Sequence, residues 1–121
     1  MSLRATVRAR ITEIVPLVKG FVFNTAVGAG VDIFPTPLSP TNSPATFRIY
    51  VCFDTGGVLT VRRTRNGVTI SEELNSGIDL NANAAYIFDI IVQEGDTINL
   101  RHSAGATILY LIVIEVAGAI G

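Results

Sequence analysis

Residues 46–53, Thr-Phe-Arg-Ile-Tyr-Val-Cys-Phe, put Phe47, Ile49, Val51 and Phe53 at every second position. That spacing lines one face of a β-strand and cannot line one face of a helix. The pattern continues downstream. Asp54-Thr55-Gly56-Gly57 reads as a turn into "GGVLTVRRT", and Asn66-Gly67 reads as a two-residue hairpin turn into "VTISEEL", since both residues tolerate positive φ. "NSGIDLNANA" is a polar connection with room for a short strand at 78–80, before "AYIFDIIV" and "DTINLRH". The nearly continuous apolar run "ATILYLIVIEV" closes the series. Short strands punctuated by Gly, Asn, Asp and Pro indicate an all-β, jelly-roll-like antiparallel sandwich.

The first half of the chain is less regular. Leu3, Val7, Ile11, Ile14 and Val18 fall at helical spacing, whereas Leu3, Ala5, Val7, Ala9 and Ile11 alternate as a strand would. The β-branched residues and Pro16 favour an extended arm over residues 1–20, followed by a single β-sandwich domain over 21–121. Arg4, Arg8, Arg10 and Lys19 make the arm basic and are the candidate partner-docking residues. "GFVFNTAVGAGVDIF" reads as one or two short strands. "PTPLSPTNSP" holds four of the five prolines and is a stiff loop, suited to lying across a neighbour's surface.

Composition points to association. Apolar residues make up 49% of the chain and charged residues 16%, against roughly a quarter in ordinary soluble domains. A domain of 121 residues has more apolar material than one small core needs, and contacts between subunits are its natural outlet. A net charge of −1 gives no general attraction to nucleic acid or anionic lipid. The single cysteine, Cys52, precludes an intrachain disulfide. No signal-peptide core precedes the arginines, and 106–114 is too short for a membrane helix, so a soluble protein is expected.

Little chemistry is on offer. One histidine, His102, and one cysteine are too few for a zinc site, and the strand setting of Cys52 is not one that activates a thiol. "VGAGVDIF" matches neither a dinucleotide fingerprint nor a phosphate loop. The acids of "QEGD" (93–96) sit where a glycine turns one strand into the next, and a solvated corner is expected there. No catalytic residue, cofactor or metal is assigned. In "RRTR", Arg63 and Arg65 share a face, and pairing with a neighbouring subunit's carboxylates is their expected use. With Tyr110 of the terminal apolar strand they form the candidate subunit-interface set.

From residue 46 to 116 the chain resembles small phage and virus-like structural proteins with a compact jelly-roll domain. The resemblance is carried by "FRIYVCFDTGGVLTVRRT", "ELNSGIDLNANAAYIFDIIVQEGDTINLRHS" and "TILYLIVIEV". The run "FDIIVQEGDTIN" is similar to a strand–corner–strand of such modules, including tumour-necrosis-factor-like trimers. The resemblance implies a non-enzymatic capsid decoration or other virion-surface subunit, commonly a trimer. Its partners would be copies of itself and a major capsid protein or other particle scaffold; from charge and composition, membrane and nucleic acid are not expected partners. A carbohydrate- or receptor-binding module of a fibre or spike is the alternative, although the chain has no Trp and its three tyrosines all fall in strands.

Overall fold

A computed structural model describes residues 17–117 as two antiparallel sheets packed face to face. In chain order the strands are β1 (Leu17–Val27), β2 (Ala45–Phe53), β3 (Leu59–Arg65), β4 (Val68–Glu73), β5 (Tyr86–Val92), β6 (Thr97–His102) and β7 (Ala106–Ala117). One sheet has the order β1-β7-β2-β5, the other β4-β3-β6. An irregular segment bonds along the free edge of β6 through Gly30, Ile33 and Leu38. With that segment included, the chain passes back and forth between sheets in the manner of a jelly roll.

The core lies where the alternation placed it. Phe47, Ile49 and Val51 of β2 and Leu111 and Val113 of β7 face Leu59 and Val61 of β3 and Ile98 and Leu100 of β6. The hairpin at Asn66-Gly67 forms as expected, with both residues at positive φ and Arg65 opposite Val68. The 78–80 stretch supplies only an isolated bridge, Gly57 with Leu80.

Three readings of the first half change. β1 is one strand of eleven residues, and it begins inside the stretch assigned to the arm. Lys19 therefore belongs to the sandwich: its Nζ donates to Thr41 Oγ1 at 2.8 Å and lies 3.5 Å from Glu115. Residues 1–16, with Arg4, Arg8 and Arg10, are outside the described residues. Lastly, the proline loop lies across its own chain. Leu38 is buried, and the backbone N–H groups of Thr41 and Asn42 donate to the buried Glu115 carboxylate at 2.6 and 2.8 Å.

Glu115 is the one acid in the inward row of β7. Burial alone would raise its pKa. The N–H groups of Thr41 and Asn42, the Asn42 side-chain amide and Lys19 outweigh burial and hold it below the ordinary value. The same chemistry operates at Asn99, whose side-chain amide exchanges two hydrogen bonds with the backbone of Phe34. A buried carboxylate and a buried amide thus fix a segment that has no regular ladder of its own.

His102 ends β6 and is fully buried against Phe53. Its Nε2 faces the Thr55 carbonyl at 3.1 Å, and its Nδ1 accepts from the Ala104 N–H at 3.2 Å. A carbonyl on one side and a donor on the other specify the neutral ring protonated at Nε2. Gly57 is required beside it, because a Cβ there would collide with the imidazole. Burial lowers the His102 pKa below its ordinary 6.5, outweighing the Thr55 carbonyl, which favours the charged form. Below that ordinary value the unfolded chain takes up a proton that the folded ring resists, so stability falls as pH falls. Urea unfolding from about pH 7 to about pH 5, above most of the carboxylate range, should show the midpoint dropping. The drop should vanish in His102→Phe, and a wild-type midpoint flat over that range would contradict the neutral, buried ring.

Candidate functional site

The two outer faces of the sandwich differ in chemistry. The outer face of the three-stranded sheet carries Thr60, Arg62 and Thr64 of β3, Thr69, Ser71 and Glu73 of β4, and Arg101 of β6. Such a face is at home in water. The outer face of the four-stranded sheet is built of apolar rows. Phe21, Ile112, Tyr50 and Ile87 form one row across all four strands. Phe23, Tyr110 and Cys52 lie to one side of it, and Val18 and Ile114 to the other. Val116, Thr46 and Ile91 form a further row.

The exposure is substantial. Phe21 and Phe23 are 62% and 51% exposed, with ring centroids 5.6 Å apart, and Ile87 and Ile91 are 61% and 64% exposed. Single exposed apolar residues are ordinary, whereas a contiguous sheet face of them marks a surface that meets something. Tyr110, expected at a subunit interface, lies in this face, half-buried between Phe23 and Cys52. Cys52 is itself buried.

Within the apolar face sits one ion pair. Arg48 donates from Nε and Nη2 to the two oxygens of Asp89 at 2.8 and 3.1 Å, in the bidentate geometry that guanidinium and carboxylate favour. The Arg48 hydrogen bond, opposed by partial burial, holds the Asp89 carboxyl below its ordinary value. Beside Ile114 the pair neutralises itself and supplies a directional mark on an otherwise non-directional surface.

The second cluster lies at the open side of the sandwich, where β4 and β5 are the sheet edges. Asp96 is 4% exposed, so of the two acids at the corner expected to be solvated only Glu94 faces water. Gly95 turns the chain at positive φ, and this brings the Asp96 carboxylate back under the turn. There it accepts from Arg65 Nε at 2.6 Å, Arg63 Nη1 at 3.0 Å and the Gln93 N–H at 3.1 Å. The Arg65 hydrogen bond, with smaller contributions from the Gln93 amide and Arg63, lowers the Asp96 pKa to about 2 against the pull of burial.

Arg63 also donates to Glu72 at 2.7 Å and to the Ile91 carbonyl at 2.8 Å. Arg65 reaches the Glu94 carbonyl at 3.1 Å. Arg63 and Arg65 were expected to meet carboxylates of another subunit, but here they meet those of their own chain. The physical reason is topological. The pairing of β3 with β6, Thr64 opposite Thr97, sets the β5–β6 corner beside the end of β3, and a one-chain sequence pattern does not reveal that pairing. The two arginines fasten one sheet to the other. They line an open groove of about 480 Å³ together with Val68, Ile70 and Ile91.

Among the described residues no group of three or more His, Cys, Asp or Glu is placed to hold a metal ion. No helix among them is long and apolar enough to cross a membrane. Comparison with protein families, curated proteins and solved structures finds no match to this chain.

Asp96→Asn keeps the shape of the side chain and removes the charge that both arginines share. It should destabilise the fold by roughly 1–3 kcal/mol in urea unfolding at neutral pH. Because the Asp96 pKa is lowered, the stability it contributes is present above the ordinary carboxyl value of 3.8 and is lost as pH falls through about 2. The variant should show a shallower acid dependence over that range, and an unchanged stability would remove the cluster from the account.

Proposed function

We propose that this chain is a non-enzymatic structural subunit that assembles with copies of itself, as a trimer, on the surface of a larger particle of the virion type. The observation that carries the reading is β7. Its inward residues Leu111 and Val113 are core, and its outward residues Tyr110, Ile112, Ile114 and Val116 are apolar as well. A strand that is apolar on both faces suits burial on both faces, yet the subunit covers only one. Sequence economy argues the same way: the outer face of the other sheet, in the same small chain, is made of Thr, Ser, Arg and Glu.

The energetic scale is adequate. Fully burying one large apolar side chain contributes roughly 1.5–3 kcal/mol. Several such residues per subunit exceed an association cost on the order of 4–15 kcal/mol. The jelly-roll topology and the textual resemblance to small virion proteins support the particle and the trimer. The Arg48–Asp89 pair would be taken into the interface as a matched unit, which favours register over affinity.

Phe21→Arg and Ile112→Arg test the proposal. Each puts a charge into the central row without touching the core. Each should weaken association by roughly ten- to a hundredfold or more and shift the light-scattering mass toward 12.9 kDa, with the circular dichroism of a folded β-protein retained. An oligomer of unchanged mass and affinity in both variants would exclude this face as the contact.

A further inference from the structure

We infer that the free edge of β4 is a strand-addition site, and that its occupant is residues 3–11 of a neighbouring copy, running antiparallel to β4. The inference rests on the assembly reading above and names a second contact within it.

The sheet edges are not equivalent. β6 is covered by the segment bonded through Gly30, Ile33 and Leu38. β1 is interrupted by a register shift between Val18 and Gly20 and by Asn24 at positive φ, and the Thr25 hydroxyl occupies the Phe23 carbonyl. On β5 the Ile91 carbonyl is taken by Arg63. β4 has none of these devices, which natural edges use against unwanted pairing. It is regular from Val68 to Glu73, without proline, glycine or bulge. The two-residue turn makes Arg65–Val68 and Arg63–Ile70 the hydrogen-bonded pairs of the hairpin. The N–H and C=O of Thr69 and Ser71 therefore point away from β3, and no other backbone bond reaches them among the described residues.

The side chains of β4 specify what would pair there. Val68 and Ile70 point to the inner side of their sheet but are 61% and 59% exposed, because the opposite sheet stops at β5 and leaves them uncovered. With Ile91 they form the apolar wall of the groove, whose arginines are already neutralised by Glu72 and Asp96. The outer side of β4 carries Thr69, Ser71 and Glu73. An added strand should then be apolar at alternate positions on the groove side and polar to basic on the other.

Residues 3–11 have that pattern: Leu3, Ala5, Val7, Ala9 and Ile11 alternate with Arg4, Thr6, Arg8 and Arg10. Placing Val7 opposite Ile70 sets Ala9 opposite Val68, Thr6 opposite Ser71 and Arg4 opposite Glu73. Each apolar position then meets the groove side, and an arginine meets the Glu73 carboxylate. Main-chain bonds would supply affinity, and the alternating side chains the register.

The assembly reading makes the donor a neighbour. Leu17 opens β1, which lies at the edge of its sheet remote from β4 and β5. At least sixteen residues precede Leu17, an extended reach of up to about 55 Å.

Disulfide trapping in the full chain decides the matter. Ile70 bonds toward β3, so it would face an added strand as a non-hydrogen-bonded pair, with Cα atoms about 4.5 Å apart, within disulfide range. Val7→Cys and Ile70→Cys are combined in a Cys52→Ala background, and isotopically heavy and light chains are mixed before mild oxidation. The expected product is a 7–70 linked peptide pair containing one heavy and one light partner. Adding Ser71→Pro, which removes an outward N–H and leaves the pairing with β3, should reduce that product at least tenfold. A 7–70 link found only within single chains would overturn the neighbour as donor. A 70–70 link would make a second β4 the occupant instead. No link from a folded protein, or a yield unaffected by Ser71→Pro, would overturn strand addition altogether.

Discussion

A two-sheet sandwich can bury only the faces that its sheets turn toward each other. In this chain that limit falls on β7, where Leu111 and Val113 enter the core and Tyr110, Ile112, Ile114 and Val116 do not. The hydrophobic effect acts on both sets equally. The inner set is satisfied by folding, and the outer set, extended by Phe21, Phe23 and Ile87, is what the proposed assembly would cover. Fold and proposed function follow from one apolar strand placed near the middle of its sheet.

The polar residues that enter the interior do a different job. At the side where the irregular segment closes the sandwich, Glu115 and Asn99 hold backbone that has no regular ladder. At the open side, Asp96 gathers Arg63 and Arg65 and joins the two sheets. Both carboxylates remain ionised despite burial because several donors converge on each. Such groups add modest net stability but fix one arrangement, since any alternative packing would strand a buried charge. The apolar contacts make the sandwich compact, and these clusters make the loops and corners definite.

The second half of the fold was legible because strand periodicity is a local signal. β2 alternates cleanly, the Asn66-Gly67 hairpin announces its own register, and β7 reads as a strand apolar on both sides. The start of β1 was not legible, because Leu17–Gly20 have no alternation of their own and are held by pairing with β7, nearly a hundred residues away. The burial of Asp96 was missed for a similar reason. Its sequence neighbours make a turn, and only the pairing of β3 with β6 beside that turn supplies the arginines. Glu115 offered a clue in retrospect: a lone acid in an unbroken apolar strand demands partners, though the sequence does not say which. The apolar outer face could be suspected from composition and from β7, but the joining of β1, β7, β2 and β5 into one surface required the sheet order.

The central claim concerns where the outer apolar face resides when the protein is folded in water. Sedimentation equilibrium of the unaltered chain across the micromolar range measures this most directly, because the subunit mass of 12.9 kDa is known from the sequence. The account predicts a discrete species at three times that mass, persisting on dilution to low micromolar concentration. A single, well-behaved 12.9 kDa species throughout the range would show that the face stays in water, and would contradict the account at its root.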